Sequence, residues 1–312
     1  MPAQTDTLLR YRPWRGELHG PLWGAAAMAR VSLKLMFRRR QYWGLFSLSL
    51  LVFFFFFYGQ YLVVWITTRL ADDAVSVGGL KVPVKDVGKF FGRLALNGTA
   101  HTFGNFIWFE GYVVVIVLAL AGSVLVGNDF AHGSLPFYLS KPIGRWHYVL
   151  GKCLAIGVFV NLVTTVPAVL LWLEAGLLDD WQTYYLGNLG LLAGILAYGL
   201  VLTITLSLLV VATAVWLRRT VPLAMAWMGA FVLTRVLAGW LVDGLNYGEA
   251  WRLIDLWNDL YLVGLWCLGA DPATIRPQTQ PPFWAAALVV AGVCAGSLLY
   301  LRRRVQAVEI VS

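Results

Sequence analysis

Of 312 residues, 59% are hydrophobic and only 13% are charged, against about 25% charged in soluble domains, which excludes a water-soluble globular chain. The net charge of +8 does not mark a nucleic-acid surface, because the basic residues flank apolar runs instead of gathering on a polar face. Cys153, Cys267 and Cys294 stand far apart without CxxC spacing, which excludes a disulfide framework and a cysteine-ligated metal.

The chain starts polar, from Gln4 to Glu17, unlike a cleavable signal peptide, so the first apolar run is expected to stay in the mature protein. Residues 22–42 read as an amphipathic helix lying at the membrane interface. Trp23, Met28, Val31, Leu35 and Met36 face lipid in this reading, while Arg30, Lys34 and Arg38 form a stripe suited to anionic headgroups.

Six apolar runs follow, at 43–66, 106–126, 148–173, 186–217, 221–242 and 283–301, each close to the roughly 20 residues that cross a bilayer. Lipid offers backbone amides no partner, so the runs must be helices. The expected fold is an all-α integral membrane protein with six transmembrane helices. It divides into a tail and interfacial helix (1–43), one membrane domain (44–301) and a basic tail (302–312). The fourth run is longer than a bilayer requires and must tilt, kink or protrude. Only Arg218, Arg219 and Thr220 join it to the fifth, which makes the two antiparallel neighbours.

Two connecting segments are long. Residues 67–105 contain Gly78, Gly79 and Pro83, suggest a short helix near 86–96, and carry a glycosylation sequon at Asn97. Residues 250–268 repeat Trp251, Leu253, Ile254, Trp257, Leu260, Tyr261 and Leu265 at helical spacing, punctuated by Arg252, Asp255 and Asp259. This stretch reads as a short hydrophobic extracellular helix that dips into the outer leaflet or lies on it.

Orientation follows from the basic residues, which are retained on the cytoplasmic side. With both termini inside, the inner segments hold 16 of the 24 Lys and Arg and a net charge of +12, whereas the outer loops carry −4. Two ionisable residues remain within spans, Glu110 and Arg235. Such groups are costly unless paired or wet, so they are expected to pair, or Arg235 to reach Asp243. His19, His101, His132 and His147 show no metal-ligand spacing.

The inner loop between the second and third spans is the most informative segment. A short rigid knob here would present side chains to a soluble partner. Gly133 would make a turn, Leu135, Phe137 and Tyr138 would be presented, and Pro142 would end the element. Twelve positions stand in order over about 24 residues: Asp129, Gly133, Ser134, Leu135, Leu139, Ser140, Pro142, Ile143, Arg145, Leu150, Gly151 and Lys152. In this pattern the chain resembles the permeases of type-2 ABC exporters. It departs from them in having Asp129 where Glu is usual and Phe130 and Ala131 where a charged pair follows.

The resemblance implies that this loop is a coupling helix seated in a groove of an ABC ATPase dimer, with Asp129, Gly133, Ser134, Leu135, Phe137, Tyr138, Ser140, Pro142, Arg145 and Lys152 at the contact. It further implies a second permease subunit, identical or related, and ATP with magnesium on the partner only. The setting would be a plasma membrane, bacterial and inner. The chain has no GxxxxGK[ST], since Trp146 stands where the first glycine before Gly151 and Lys152 would be. Small residues such as Gly190 with Gly194, or Gly292 with Gly296, could line a pairing face. The alternatives are a membrane-embedded enzyme, which would need a Ser/His, HExxH or paired-carboxylate constellation that is not visible, and a scaffold or channel subunit.

Overall fold

The computed structural model describes residues 20–68, 74–77, 80–83, 95–131, 144–272 and 279–305. Six helices in it are long and apolar enough to cross a membrane: Arg40–Ile66, Ala100–Phe130, Arg145–Leu178, Leu189–Leu217, Thr220–Gly244 and Phe283–Arg304. They are called the first to sixth spans. Their alternation brings Arg38 to Arg40, Arg145, Arg218, Arg219 and Arg302 to Arg304 to one end of the bundle, here the basic end. The second, third and fourth spans form the interior, while the first, fifth and sixth leave most of their apolar length uncovered.

Helix α1 (Pro21–Phe37) precedes the first span and begins with a proline, whose missing N–H costs nothing at a helix start. It packs chiefly on the third span. Its buried face is Ala25, Ala29, Ser32 and Met36, one every three to four residues, and its exposed face carries Trp23, Val31 and Leu35 with Arg30, Lys34 and Arg38. Met36, placed on the lipid face by periodicity, is therefore a core residue. The first span is α2 (Arg40–Thr68). Beyond it, β1 (Ala74–Val77) pairs antiparallel with β2 (Leu80–Pro83), Val77 opposite Leu80. Apart from these two four-residue strands the described residues that form regular structure are helical, as expected. The short helix suggested at 86–96 lies almost entirely outside the described residues, and Ala95 and Leu96 are not helical.

The second span is α3 (Ala100–Gly122), continued by a wider turn at Ser123–Gly127 and a last turn at Asn128–Ala131. The third consists of α4 (Arg145–Val163) and α5 (Thr165–Leu178), broken at Thr164. The break has a cause in Pro167, which has no N–H to donate to the Val163 carbonyl. The fourth run is divided near its start, and its crossing helix is still longer than the roughly 20 residues a bilayer requires. A separate helix α6 (Trp181–Gly187) ends at Asn188, whose side chain donates 2.9 Å to the Tyr184 carbonyl, and α7 (Leu189–Leu217) makes the crossing. Arg218 closes α7 with a positive φ of 51°. The fifth span starts as α8 (Thr220–Met228), widens at Gly229–Leu233, continues as α9 (Thr234–Gly239) and widens again at Trp240–Gly244. Its first helix packs chiefly on the second span and also beside α7, as the short connection demands.

The aromatic stretch after the fifth span forms a 3-10 turn at Glu249–Ile254 and then α10 (Leu256–Cys267). Asp255 caps α10 by accepting from the backbone N–H of Trp257 (3.1 Å) and Asn258 (3.2 Å). Every residue from Leu256 to Leu265 is buried, against α3, α7 and the sixth span, α11 (Phe283–Arg304). The helix expected to dip into the outer leaflet or lie on it is thus packed among the spans. One reason is Gly194 on α7, where a Cβ would lie 2.4 Å from the Cys267 carbonyl oxygen. Gly194 is consumed by this crossing within the chain and does not line a free pairing face, whereas Gly292 and Gly296 meet nothing within 4 Å.

Candidate functional site

Of the loop residues singled out in the sequence, Gly133, Ser134, Leu135, Phe137, Tyr138, Ser140 and Pro142 lie outside the described residues. Those flanking the loop are described, and they meet. Asp129 ends the second span and Lys152 lies two turns into the third. Their side chains pair at 2.8 Å, with only 15% and 7% of each exposed. Tyr148, one turn before Lys152 on the same face, donates its hydroxyl to the same Asp129 oxygen at 2.9 Å. The Lys152 ammonium also donates to the Leu125 carbonyl, and more weakly to Ser32 of α1 at 3.5 Å.

The Leu125 carbonyl lies in the wider turn at Ser123–Gly127. Such a turn leaves carbonyls without their usual i+4 amide. A buried ammonium is tolerated only with acceptors around it, and here a carboxylate and a carbonyl from the second span and a hydroxyl from α1 converge on it. One cluster therefore ties α1, the end of the second span and the start of the third.

Gly151 explains how α1 comes close enough to take part. A Cβ there would lie 2.8 Å from the Ala25 carbonyl oxygen and 3.1 Å from the Met28 side chain. Beside the cluster, α1 and the second span leave a cavity of about 250 Å³ lined by Met28, Val31, Ser32, Leu125, Asp129 and Lys152. Arg145 begins α4 exposed at the loop's other end, its guanidinium 6.0 Å from the Trp146 ring.

The expected pair of Glu110 and Arg235 is not formed. Arg235 lies over Trp108, 4.4 Å from the ring centroid, and over Tyr112 at 5.2 Å, and it donates to the Tyr112 hydroxyl. Trp108 and Tyr112 are one helical turn apart, and Glu110, midway between, points to the opposite side of α3. Glu110 is fully buried there, with Ser49 of the first span close by and no hydrogen bond of ordinary geometry to either carboxylate oxygen. Nor does Arg235 pair with Asp243, which is held by Arg252 from the 3-10 turn. Sequence reasoning missed Tyr148 and Ser32 as members of the cluster. The signal for Tyr148 is its i, i+4 spacing from Lys152.

Among the described residues no group of three or more His, Cys, Asp or Glu could hold a metal ion. The arrangement contains a buried ion pair and helix crossings, which are means of holding and moving helices.

No curated protein matches the chain. A sequence model of a membrane transporter family, the ABC-2 family transporter protein, matches residues 29–254, well over half of the chain and including the whole charged cluster. The match, together with six spans and the motif flanking the second-to-third loop, places this chain in the ABC-2 transporter family as a multi-pass membrane permease.

Proposed function

We propose that the chain is the membrane-spanning permease subunit of an ATP-driven exporter, worked by a separate ABC ATPase dimer that docks on the loop 132–143. The observation that supports this most is the Asp129, Tyr148 and Lys152 cluster at the base of that loop. A push on the loop meets two span ends already pinned to each other and to α1, so it moves helices and does not dissipate in side-chain motion. In this reading both termini and the basic end face the cytoplasm of a bacterial inner membrane. A second permease subunit, identical or related, completes the pathway, and ATP and magnesium bind only to the partner. The cargo is a hydrophobic or amphipathic solute moving outward.

Co-purification with candidate ATPases tests the docking. Leu135→Asp is expected to abolish the complex, whereas Asp129→Asn and Lys152→Met should retain it and lose most cargo-stimulated ATP hydrolysis. Because the two side chains act as one pair, the double variant should be no worse than the poorer single one. A retained complex with unchanged stimulation in all of them would defeat the role assigned to the loop.

A further inference from the structure

We propose that the cleft between the second and fifth spans holds one anionic lipid from the surrounding bilayer, its headgroup on Arg235 and an acyl chain along the cleft. The proposal requires that these spans cross a membrane and is independent of how ATP hydrolysis is coupled.

Three observations carry it. The first is an apolar cavity of about 230 Å³ between the two spans, walled by Val115, Ala119, Trp227 and Phe231. Its rim residues Ile116, Met228 and Val236 are among the exposed apolar side chains of the bundle, so the cleft opens sideways on an apolar face of the bundle. Lipid is therefore the occupant that can enter without crossing a polar barrier.

The second is a polar cavity of about 160 Å³ that includes Trp108, Arg235, Asp243, Arg252 and Asn258. Arg235 belongs to the walls of both cavities. One side chain thus stands at the boundary of an apolar slot and a polar chamber, which is the division of an amphiphile.

The third is charge. The contacts of Arg235 are to rings and a hydroxyl. The two carboxylates of the polar chamber are engaged elsewhere, Asp243 by Arg252 and Asp255 at the amides that begin α10. A guanidinium has five N–H donors in a fork that fits a phosphate, and Arg235, lying over Trp108, gives one nitrogen to the Tyr112 hydroxyl and keeps its other donors for a ligand. A cation at membrane depth without a carboxylate calls for an anion, and a lipid phosphate supplies it.

The test uses the whole protein in phosphatidylcholine nanodiscs. Each contains a trace of photoreactive phosphatidylglycerol, or of photoreactive phosphatidylcholine with the same acyl chains, and labelled peptides are mapped by mass spectrometry. The anionic probe should label 111–119 and 228–236 about fivefold or more above the zwitterionic one, a preference within reach of one charge-assisted contact. Arg235→Gln should remove that excess and Arg235→Lys should keep most of it. If Arg235→Gln does not assemble, Ala119→Phe decides, because it fills the slot and leaves the charge in place: loss of the excess supports the lipid site and its persistence overturns it. Equal labelling by the two headgroups, or an excess that survives Arg235→Gln, also overturns it.

Discussion

Asp259 shows what burial does to a single carboxyl in this protein. It sits in α10 with no exposed surface and no hydrogen-bond partner for either oxygen. Burial, with the charge of Asp255 adding to it, pushes its pKa from 3.8 up to about 8. The folded chain therefore prefers the protonated side chain. The stability this group contributes is complete below its unfolded value of 3.8 and is lost as pH rises toward about 8. Asp259→Asn keeps the shape and cannot ionise. Thermal scans of the purified protein should show a wild-type melting temperature that falls between about pH 5 and pH 8, and a visibly flatter dependence in the variant; equal slopes would contradict this. The same scale shows how far residues could be read from the sequence. Asp129 and Lys152 each stand out from the motif, but their pairing depends on two spans meeting at one height, which no local pattern encodes. The Glu110 and Arg235 expectation failed on helix geometry. An arginine that touches both Trp108 and Tyr112 faces away from Glu110 by about half a turn, at 100° per residue.

Among the elements, α1 is legible as a helix whose outward residues Trp23, Val31 and Leu35 are exposed, while the face that docks on the bundle is not legible. Periodicity weighs large apolar residues, so Trp23, Val31 and Leu35 drew attention, while the docking face is made of Ala25, Ala29 and Ser32. Small residues lower a hydrophobicity profile even as they let backbones approach, the usual means by which helices pack in membranes. The break at Thr164 was hidden because an apolar run hides the proline that interrupts it, whereas the excess length of the fourth run signalled an irregularity without locating it at Asn188. The packing of α10 among the spans is not visible in its own periodicity, because Gly194 and Gly264 on either side of the crossing clear space for it, Gly264 lying against the Tyr198 ring. Gly151 makes the α1 contact testable. A valine there brings branched carbon against the Ala25 carbonyl, where the first Cβ would already be 2.8 Å away. Backbone cannot yield as a side-chain tip does, so the strain, on the order of 1–3 kcal/mol, should lift α1 from the third span. Trypsin should then cut at Arg30 and Lys34 far faster in Gly151→Val than in wild type, while the six spans stay resistant. Unchanged cleavage would mean that α1 is held by something other than this crossing.

At the scale of the whole molecule, the number of spans was plain from composition, because a chain so rich in apolar runs has few other folds open to it. Which spans form the interior was not, since the fourth and the sixth runs look alike in sequence, yet one is mostly buried and the other largely bare. Orientation is a separate matter that charge decides. Carrying one elementary charge against a membrane potential costs about 2.3 kcal/mol per 100 mV, and the ends of the bundle differ by a net +12 against −4. Such an imbalance is too large for any single loop to reverse. In a variant with Cys153, Cys267 and Cys294 replaced by serine, a new cysteine at Leu186, which is exposed, should react with an impermeant maleimide on intact cells. One at the exposed Arg219 should react only after permeabilisation. Adding Arg218→Gln and Arg302→Gln to the Leu186 variant removes two positive charges and still leaves the basic end strongly positive, so its labelling should not change. A reversed pattern in the parent variant would put the loop 132–143 beyond the reach of any cytoplasmic ATPase, and the proposed coupling would fall with it.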